Sequence, residues 1–466
     1  MDMPTCQGCT ERDARIAKLE AEVAELKLLV RELQARLNQD ATNSSLPPSA
    51  NPPHGRKPVR KQKTGRKPGG QPGHVAHLRE RLPPERLQQV IPFVPTACHA
   101  CGTALAQQAG PADPEPTWHQ FVELPPMAAK VTEYQGHART CPACGEMTRA
   151  AIPEEIRAHT FDPRLTAAMS YLSGCQHVSR RGVEEVVETF FEVPVSLGTV
   201  SNLEQEMSAA LAAPHAEAQE AVQAAAVKHA DETGWKEAGQ KRWLWVAATA
   251  NIACFVIAAN RGLDGLVALL GEQVQGILCS DRWSVYGRWS TSLRQVCWAH
   301  LKRDFQKLVD RGGTAKKYGD LGLGVVQILF HEWHLFRGGG SREQLQHELQ
   351  PLQATMHAWL EDGARCADSK TAKFCKNLLT LEPALWTFLT HADVEPTNNH
   401  AERVLRPAVL WRKNAFGCHS AAGCRFVERM QTVVQTLRLR KRSVFAFLTQ
   451  AVANHRCALP TPLLLG

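Results

Sequence analysis

The chain has no apolar run long enough to span a bilayer, and its first twenty residues are charged where a secretory signal would be apolar. These absences predict a cytoplasmic protein with no membrane partner. Nucleotide-triphosphate motifs are missing too. Arg311-Gly-Gly-Thr-Ala-Lys316 is not a Walker A loop, which argues against ATP, and His331-Glu-Trp-His334 falls one residue short of a zincin helix. Disulfide patterning is also lacking: the 15 cysteines are odd in number and scattered through 466 residues, a chain long enough to fold without staples. Reduced thiols and metal sites are therefore expected instead. Nor is there a strong excess of one charge, since 54 Lys and Arg face 46 Asp and Glu, but the cations gather in short tracts. At roughly 150 residues per domain the length predicts about three modules.

What is present begins with a heptad seam. Ile16, Val23 and Val30 alternate with Leu19, Leu26, Leu33 and Leu37 at spacings of three and four. β-Branched residues at a and leucine at d favour a parallel two-stranded coil, and Arg15 and Glu22 at g meet Glu20 and Lys27 at e across it. A homodimer through this coiled coil is predicted; an amphipathic helix packed on its own chain is the alternative. After Asn43 the chain turns to Ser, Pro and Gly. Arg56, Lys57, Arg60, Lys61, Lys63, Arg66 and Lys67 then follow with no intervening acid. A disordered basic arm of this kind neutralises phosphates by counterion release, whereas a plain linker would only be solvated.

Cys98-x-x-Cys101-Gly and Cys141-x-x-Cys144-Gly are matched knuckles, with glycine after each thiolate pair for the tight turn. Four sulfurs suit one tetrahedral, structural zinc ion. Gln120-Phe-Val-Glu-Leu and Lys130-Val-Thr-Glu-Tyr between them are predicted to be strands, making a zinc ribbon. Beyond it, Arg164 to Phe191 has helical periodicity, and Ser196-Leu-Gly-Thr-Val-Ser-Asn opens another helix after Pro194, with Ser196 as its cap. This pattern resembles a helix-turn-helix, in which Thr199 and Asn202 would reach bases or phosphates; two packed helices read equally well.

From Gln223 the pattern becomes β-rich. Strands are predicted at 226–231, 242–247 and 253–259, a helix at 263–270, strands at 276–280 and 293–298, and a helix from His300. The order βββαβαβ is that of ribonuclease H. It places Asp231 on the first strand and Asp281 at the end of the fourth, adjacent to one another, with Glu402 brought to the same edge by a later helix. Three carboxylates without His or Cys suit two magnesium or manganese ions, which serve phosphodiester chemistry. Each acid also has a plainer reading: a strand end for Asp231, a helix cap for Asp281, and a capping box for Asn399 with Glu402.

Several motifs occur together in one order: Asn43-Ser-Ser-Leu-Pro-Pro-Ser49, Arg66-Lys-Pro-Gly-Gly-Gln-Pro-Gly-His74, the paired knuckles, Asp231-Glu-Thr-Gly-Trp235, Ser280-Asp281 with Tyr286, Cys297-Trp-Ala-His-Leu-Lys-Arg303, and Asn398-Asn-His-Ala-Glu402-Arg-Val-Leu-Arg-Pro407 with Arg412-Lys413-Asn414. In this the chain resembles bacterial transposases of insertion-sequence family 66, from the coil to about Leu448. The resemblance implies a DDE transposase of the TnpC type that binds the terminal inverted repeats of its element and catalyses metal-dependent strand cleavage and transfer. It implies Asp231, Asp281 and Glu402 as the catalytic acids. It also implies DNA contacts by Asn399, Arg406, Arg412 and Lys413, association with the nucleoid, and accessory proteins from the same element. Arg282-Trp283 departs from the small-plus-aromatic pair more usual in that family. The alternatives are a catalytically inactive zinc-ribbon regulator and a structure-specific nuclease without strand transfer.

The expected architecture is α+β and multidomain. It comprises a coiled coil (1–42), a disordered basic linker (43–80), a zinc ribbon (81–152), a helical, helix-turn-helix-like DNA-binding region (155–222), and a ribonuclease H-like core (223–302 with 397–450) interrupted by a helical insertion (303–396). Arg438, Arg440, Lys441 and Arg442 form a last basic cluster facing DNA or solvent.

Overall fold

Short, largely apolar β-rich runs, buried on both faces in β4 and β6, build the central sheet. The computed structural model describes residues 7–37 and 79–466, apart from 109, 112 and 126, so the basic tract from Arg56, Lys57, Arg60, Lys61 and Lys63 to Arg66 and Lys67 lies outside the described residues. The chain divides into two compact units, residues 56–128 and the remainder.

In the larger unit, helix α1 (Gln7–Leu37) carries the heptad residues Ile16, Leu19, Val23, Leu26, Val30 and Leu33 at 46–59% exposure. After two short strands, β1 (Ala138–Thr140) and β2 (Met147–Arg149), come helices α2 (Glu154–Arg157), α3 (Pro163–Gln176), α4 (Arg180–Phe191), α5 (Leu197–Ala210) and α6 (Ala212–Ala224). The single helical run predicted over 164–191 is two helices. His177 adopts a left-handed conformation (φ 60°) and ends α3, and the Ser179 side chain caps α4 by accepting the Gly182 N–H. Ser196 caps α5 as its sequence predicts, accepting the Thr199 N–H at 3.2 Å.

The sheet follows: β3 (Val227–Glu237), β4 (Gln240–Ala248), β5 (Ala253–Ala258), helix α7 (Leu263–Leu270), β6 (Ile277–Ser280) and β7 (Arg294–Val296). Its spatial order is β5-β4-β3-β6-β7, with β3, β4 and β5 antiparallel and β6 and β7 parallel to β3. Ala238 and Gly239, both at positive φ, make the two-residue turn that matches the twist of β3 and β4. A parallel strand needs a crossover, and α7 supplies it.

The two-residue period of β4 splits its side chains between two layers. Trp245 and Ala247 pack with Leu266, Leu269 and Tyr286 on the α7 side. Leu244, Val246 and Ala248 pack with Ala401, Val404 and Leu405 of helix α12 (Asn399–Ala415) on the other. Gly265 of α7 lies directly against the Trp245 indole, and a Cβ there would collide with the ring.

Helices α8 (Trp298–Arg311), α9 (Gly313–Arg337), α10 (Arg342–Ala364) and α11 (Ser369–Leu385) lie between β7 and α12 in the chain and share a core with Ile277, Cys279 and Val296. Helices α13 (Ala421–Leu439) and α14 (Val444–Arg456) complete the chain, sharing one core with α3, α5 and α6. The molecule is thus a mixed α+β protein around a mixed sheet.

Two expected strands do not form. Residues 120–124 and 130–134 form no strand, and Phe121, Val122, Leu124, Val131 and Tyr134 are exposed, so no opposing layer rewards pairing. The strands near the second knuckle are β1 and β2, which pair across it from Ala138↔Arg149 to Thr140↔Met147.

Candidate active site

The sheet register brings two of the acids together. Parallel pairing of β3 with β6 ends at His229↔Cys279, and two residues further along each strand the same register carries Asp231 and Asp281 to one level. Asp231 lies within β3, opposite Val246, and Asp281 directly follows β6; both are half-buried. Asp231 Oδ1 accepts the Glu232 N–H at 2.9 Å, and Asp281 Oδ1 accepts the Trp283 N–H at 2.9 Å.

Glu402 arrives from the first turn of α12, and the residue that brings it is Asn398. The capping box expected of Asn399 and Glu402 is not formed: Asn398 holds the N-cap position, and Asn399 is the first helical residue. Asn398 is 1% exposed, and its side chain points at β3 instead of capping α12. Its Nδ2 donates to the Ala230 carbonyl at 2.7 Å, its Oδ1 accepts from His229 Nδ1 at 3.1 Å, and its backbone N–H donates to Cys297 Sγ at 3.1 Å. The start of α12 is therefore bolted to the main chain immediately before Asp231. His400 adds a further tie, from Nε2 to the Thr249 carbonyl at 2.6 Å.

Burial pushes the Asp231 carboxyl well above its ordinary range, and Glu232, Glu402 and Asp281 push it further in the same direction. Glu402 Oε1 is buried without a hydrogen-bond partner; the His300 ring, whose pKa burial lowers, has Nδ1 at 3.6 Å, and the Arg303 guanidinium stands at 3.7 Å. His300 Nδ1 is itself unpartnered. Among the described residues no three His, Cys, Asp or Glu side chains already converge as a cation cage.

A supporting layer surrounds the acids that the sequence reading did not include. Glu232, with its side chain 2% exposed, accepts from the Tyr286 hydroxyl and from Arg261 Nε at 2.8 Å. Burial raises its carboxyl pKa, opposed by Tyr286 and then assisted by Asp281. Arg261 lies over the Trp283 ring at 4.0 Å. Buried Arg294 donates to the Asp281 carbonyl at 2.8 Å and to that of Trp283 at 3.4 Å. The adjacency of Glu232 to Asp231, and of Tyr286 to Asp281 in the motifs, was the available signal.

The expected DNA contacts are dispersed. Arg406 and Lys413 are exposed and Asn399 is half-buried. Arg412 turns inward, donating to Thr233 Oγ1 at 2.7 Å and to the Gly234 carbonyl. Thr199 is half-buried against its cap Ser196, and Asn202 is exposed one turn on. In the last basic cluster Arg440 donates to the Leu465 carbonyl and Arg442 to that of Leu464, both at 2.7 Å, holding the final residues of the chain.

The two knuckles have the same local geometry, each within its own unit. Cys98 N–H donates to Thr103 O and Gly102 N–H to Cys98 O, both at 2.9 Å; Cys141 N–H donates to Glu146 O at 2.8 Å and Gly145 N–H to Cys141 O at 2.9 Å. Gly102 and Gly145 have φ of 74° and 76°. The Thr103 hydroxyl lowers the pKa of Cys101, and the Ala143 amide that of Cys141, favouring thiolate.

Comparison with known proteins agrees with this reading at the level of family. A family model described as Transposase IS66 family matches residues 159–425, and one described as a family of unknown function, DUF6444, matches residues 1–80. Two uncharacterised proteins of Sinorhizobium fredii are similar. The protein y4qI is 27% identical over 241 residues, 46% of this chain and 44% of its own length. The protein y4hP is 25% identical over 406 residues, 79% and 72% of the two lengths. The match thus spans less than half of y4qI. Because the first family model covers more than half of the sequence, the chain belongs to the IS66 transposase family.

Proposed function

We propose that the protein is a DNA transposase that cleaves the ends of its element and joins them to target DNA, using Asp231, Asp281 and Glu402 as a DDE triad. The observation that supports this reading is the β3–β6 register, which continued past the strand carries Asp281 to the level of Asp231, together with the tie of Asn398, at the start of the helix that bears Glu402, to β3. A mixed sheet of order β5-β4-β3-β6-β7, with its first three strands antiparallel, supports a ribonuclease H-like core.

The donor set fits magnesium or manganese. All three groups are carboxylates, Glu402 Oε1 lacks a partner, and burial, then Glu232 and Glu402, hold the Asp231 carboxyl above its ordinary range, a cost that a cation would relieve. Two such ions would activate the attacking oxygen and stabilise the leaving oxygen of a phosphodiester. In the first step water adds to phosphorus and the 3′ oxygen leaves; in the second that 3′ hydroxyl attacks a target phosphate and displaces its 3′ oxygen. The chain's own part is to orient the carboxylates: Asn398 fixes the approach of α12, and Arg294 holds the backbone of Asp281.

Cys98, Cys101, Cys141 and Cys144 are proposed to hold one structural zinc, supported by the matched turns and the lowered pKa of Cys101 and Cys141. The heptad face of α1 is proposed to pair with a second copy. Terminal inverted repeats and target DNA are the proposed partners, contacted by the 56–67 tract, Thr199, Asn202, Asn399, Arg406 and Lys413. Asp231→Asn and Glu402→Gln are expected to abolish end cleavage while retaining DNA binding; variants that cleave like the wild type would reject the triad.

A further inference from the structure

Three consecutive residues after β6 leave the chain in three directions. Asp281 continues the register that brings it level with Asp231, Trp283 packs against Arg261 and Trp245, and Arg282 reaches into the helices that separate the second acid from the third. Arg282 Nε donates to Asp304 Oδ2 of α8 at 2.6 Å, its Nη1 donates to Asn377 Oδ1 of α11 at 3.2 Å, and its guanidinium lies 5.1 Å from the centre of the Phe374 ring. Asp304 has a side chain only 14% exposed and also accepts from Lys307 Nζ at 2.9 Å. One guanidinium thus touches two helices and an aromatic face, a geometry a lysine could not reproduce.

The loop needs such an anchor. β6 has four residues and β7 three, and their pairing ends at Ser280↔Val296, so Asp281 stands just beyond the last ladder position. Its backbone is held from one side by Arg294. Arg282 is a second tie on this turn, and it is the one that reaches α8 and α11.

We propose that Arg282 is a positioning residue through which the α8–α11 helices fix the Asp281 carboxylate, giving this helical segment a part in assembling the acid cluster. The inference rests on the three-acid reading for its consequence but not for the contact itself. Loosening this tie frees the 281–286 turn and weakens divalent-cation binding without unfolding the protein, because Asp304 retains Lys307 when Arg282 is removed.

Amide hydrogen exchange on the full-length wild type, Arg282→Ala and Arg282→Lys, without metal, tests the contact. Exchange over 281–286 is expected to quicken about tenfold in Arg282→Ala, about the worth of one hydrogen bond to a charged group. It is expected to quicken less in Arg282→Lys, with 227–237 unchanged in both. Manganese titration followed by electron paramagnetic resonance tests the consequence: half-saturation is expected to rise several-fold in Arg282→Ala. Unchanged exchange at 281–286, or a rise spread equally over the chain, would overturn the proposal, as would faster local exchange with unchanged manganese affinity. Faster local exchange in a protein whose wild type binds no manganese supports the tie and sinks the three-acid reading instead.

Discussion

Asn398 offers the sharpest test of how the site is assembled. Replacing it with alanine removes two buried side-chain hydrogen bonds, to the Ala230 carbonyl at 2.7 Å and from His229 at 3.1 Å, and leaves both partners unsatisfied in the interior. At about 1–3 kcal/mol for each stranded buried group, the loss should be roughly 2–6 kcal/mol. Burial already holds the His229 pKa down to about 4, so the ring stays neutral and gains no compensation by protonating at working pH. The loss is to be read by urea unfolding followed by tryptophan fluorescence, beside end cleavage at a temperature where the variant remains folded. Cleavage should fall at least a hundredfold there, because α12 no longer holds Glu402 against β3, whereas binding to DNA should change little. A variant with unaltered unfolding and near-normal cleavage would refute the bolt and the placement of Glu402 that depends on it.

Other expectations follow from separate parts of the molecule. Glu428 accepts the Ile257 N–H at 2.6 Å, and burial raises its pKa to about 7, above the roughly 4.3 of an unfolded chain. Its contribution to stability is therefore complete below about pH 4 and lost as pH rises through about 7; Glu428→Gln, which keeps an acceptor, should flatten that loss and raise Tm at pH 8 relative to wild type. A Cys98→Ser, Cys141→Ser variant should lose about one zinc per chain by elemental analysis, and unchanged zinc would reject the four-thiolate site. Leu26→Asp, at a position 59% exposed on α1, should shift the mass found by light scattering from dimer to monomer; a wild type that is already monomeric would remove the coiled-coil proposal.

Much of the sheet was legible because its signal is local. Short β-rich runs mark β3, β4 and β5, and the short apolar run 263–270 gives α7; Asp231 falls on the first strand and Asp281 at the end of the fourth as expected, although β3 runs six residues beyond Asp231 to Glu237. The same signal failed over 120–124 and 130–134, where β-forming residues are present but exposed. Position 177 shows another limit: a helical period continues across it while a left-handed His177 and the Ser179 cap divide the helix. The means of holding Glu402 was not legible at all. Asn398 reaches a main-chain carbonyl 168 residues away, and a side-chain to backbone bond of that span leaves no periodicity to read. Charge was a poor guide to partners for a related reason, since Arg412, Arg440 and Arg442 spend donors on carbonyls of their own chain. Sequence reports that a cation is present, not which acceptor it meets.

The most direct test of the central claim is a joining assay with labelled element ends, supercoiled target plasmid and magnesium, comparing wild type with Asp231→Asn, Asp281→Asn and Glu402→Gln. The account predicts cleaved and joined products from the wild type only, with end binding retained by all four proteins. Joined products from any of the three variants would contradict it.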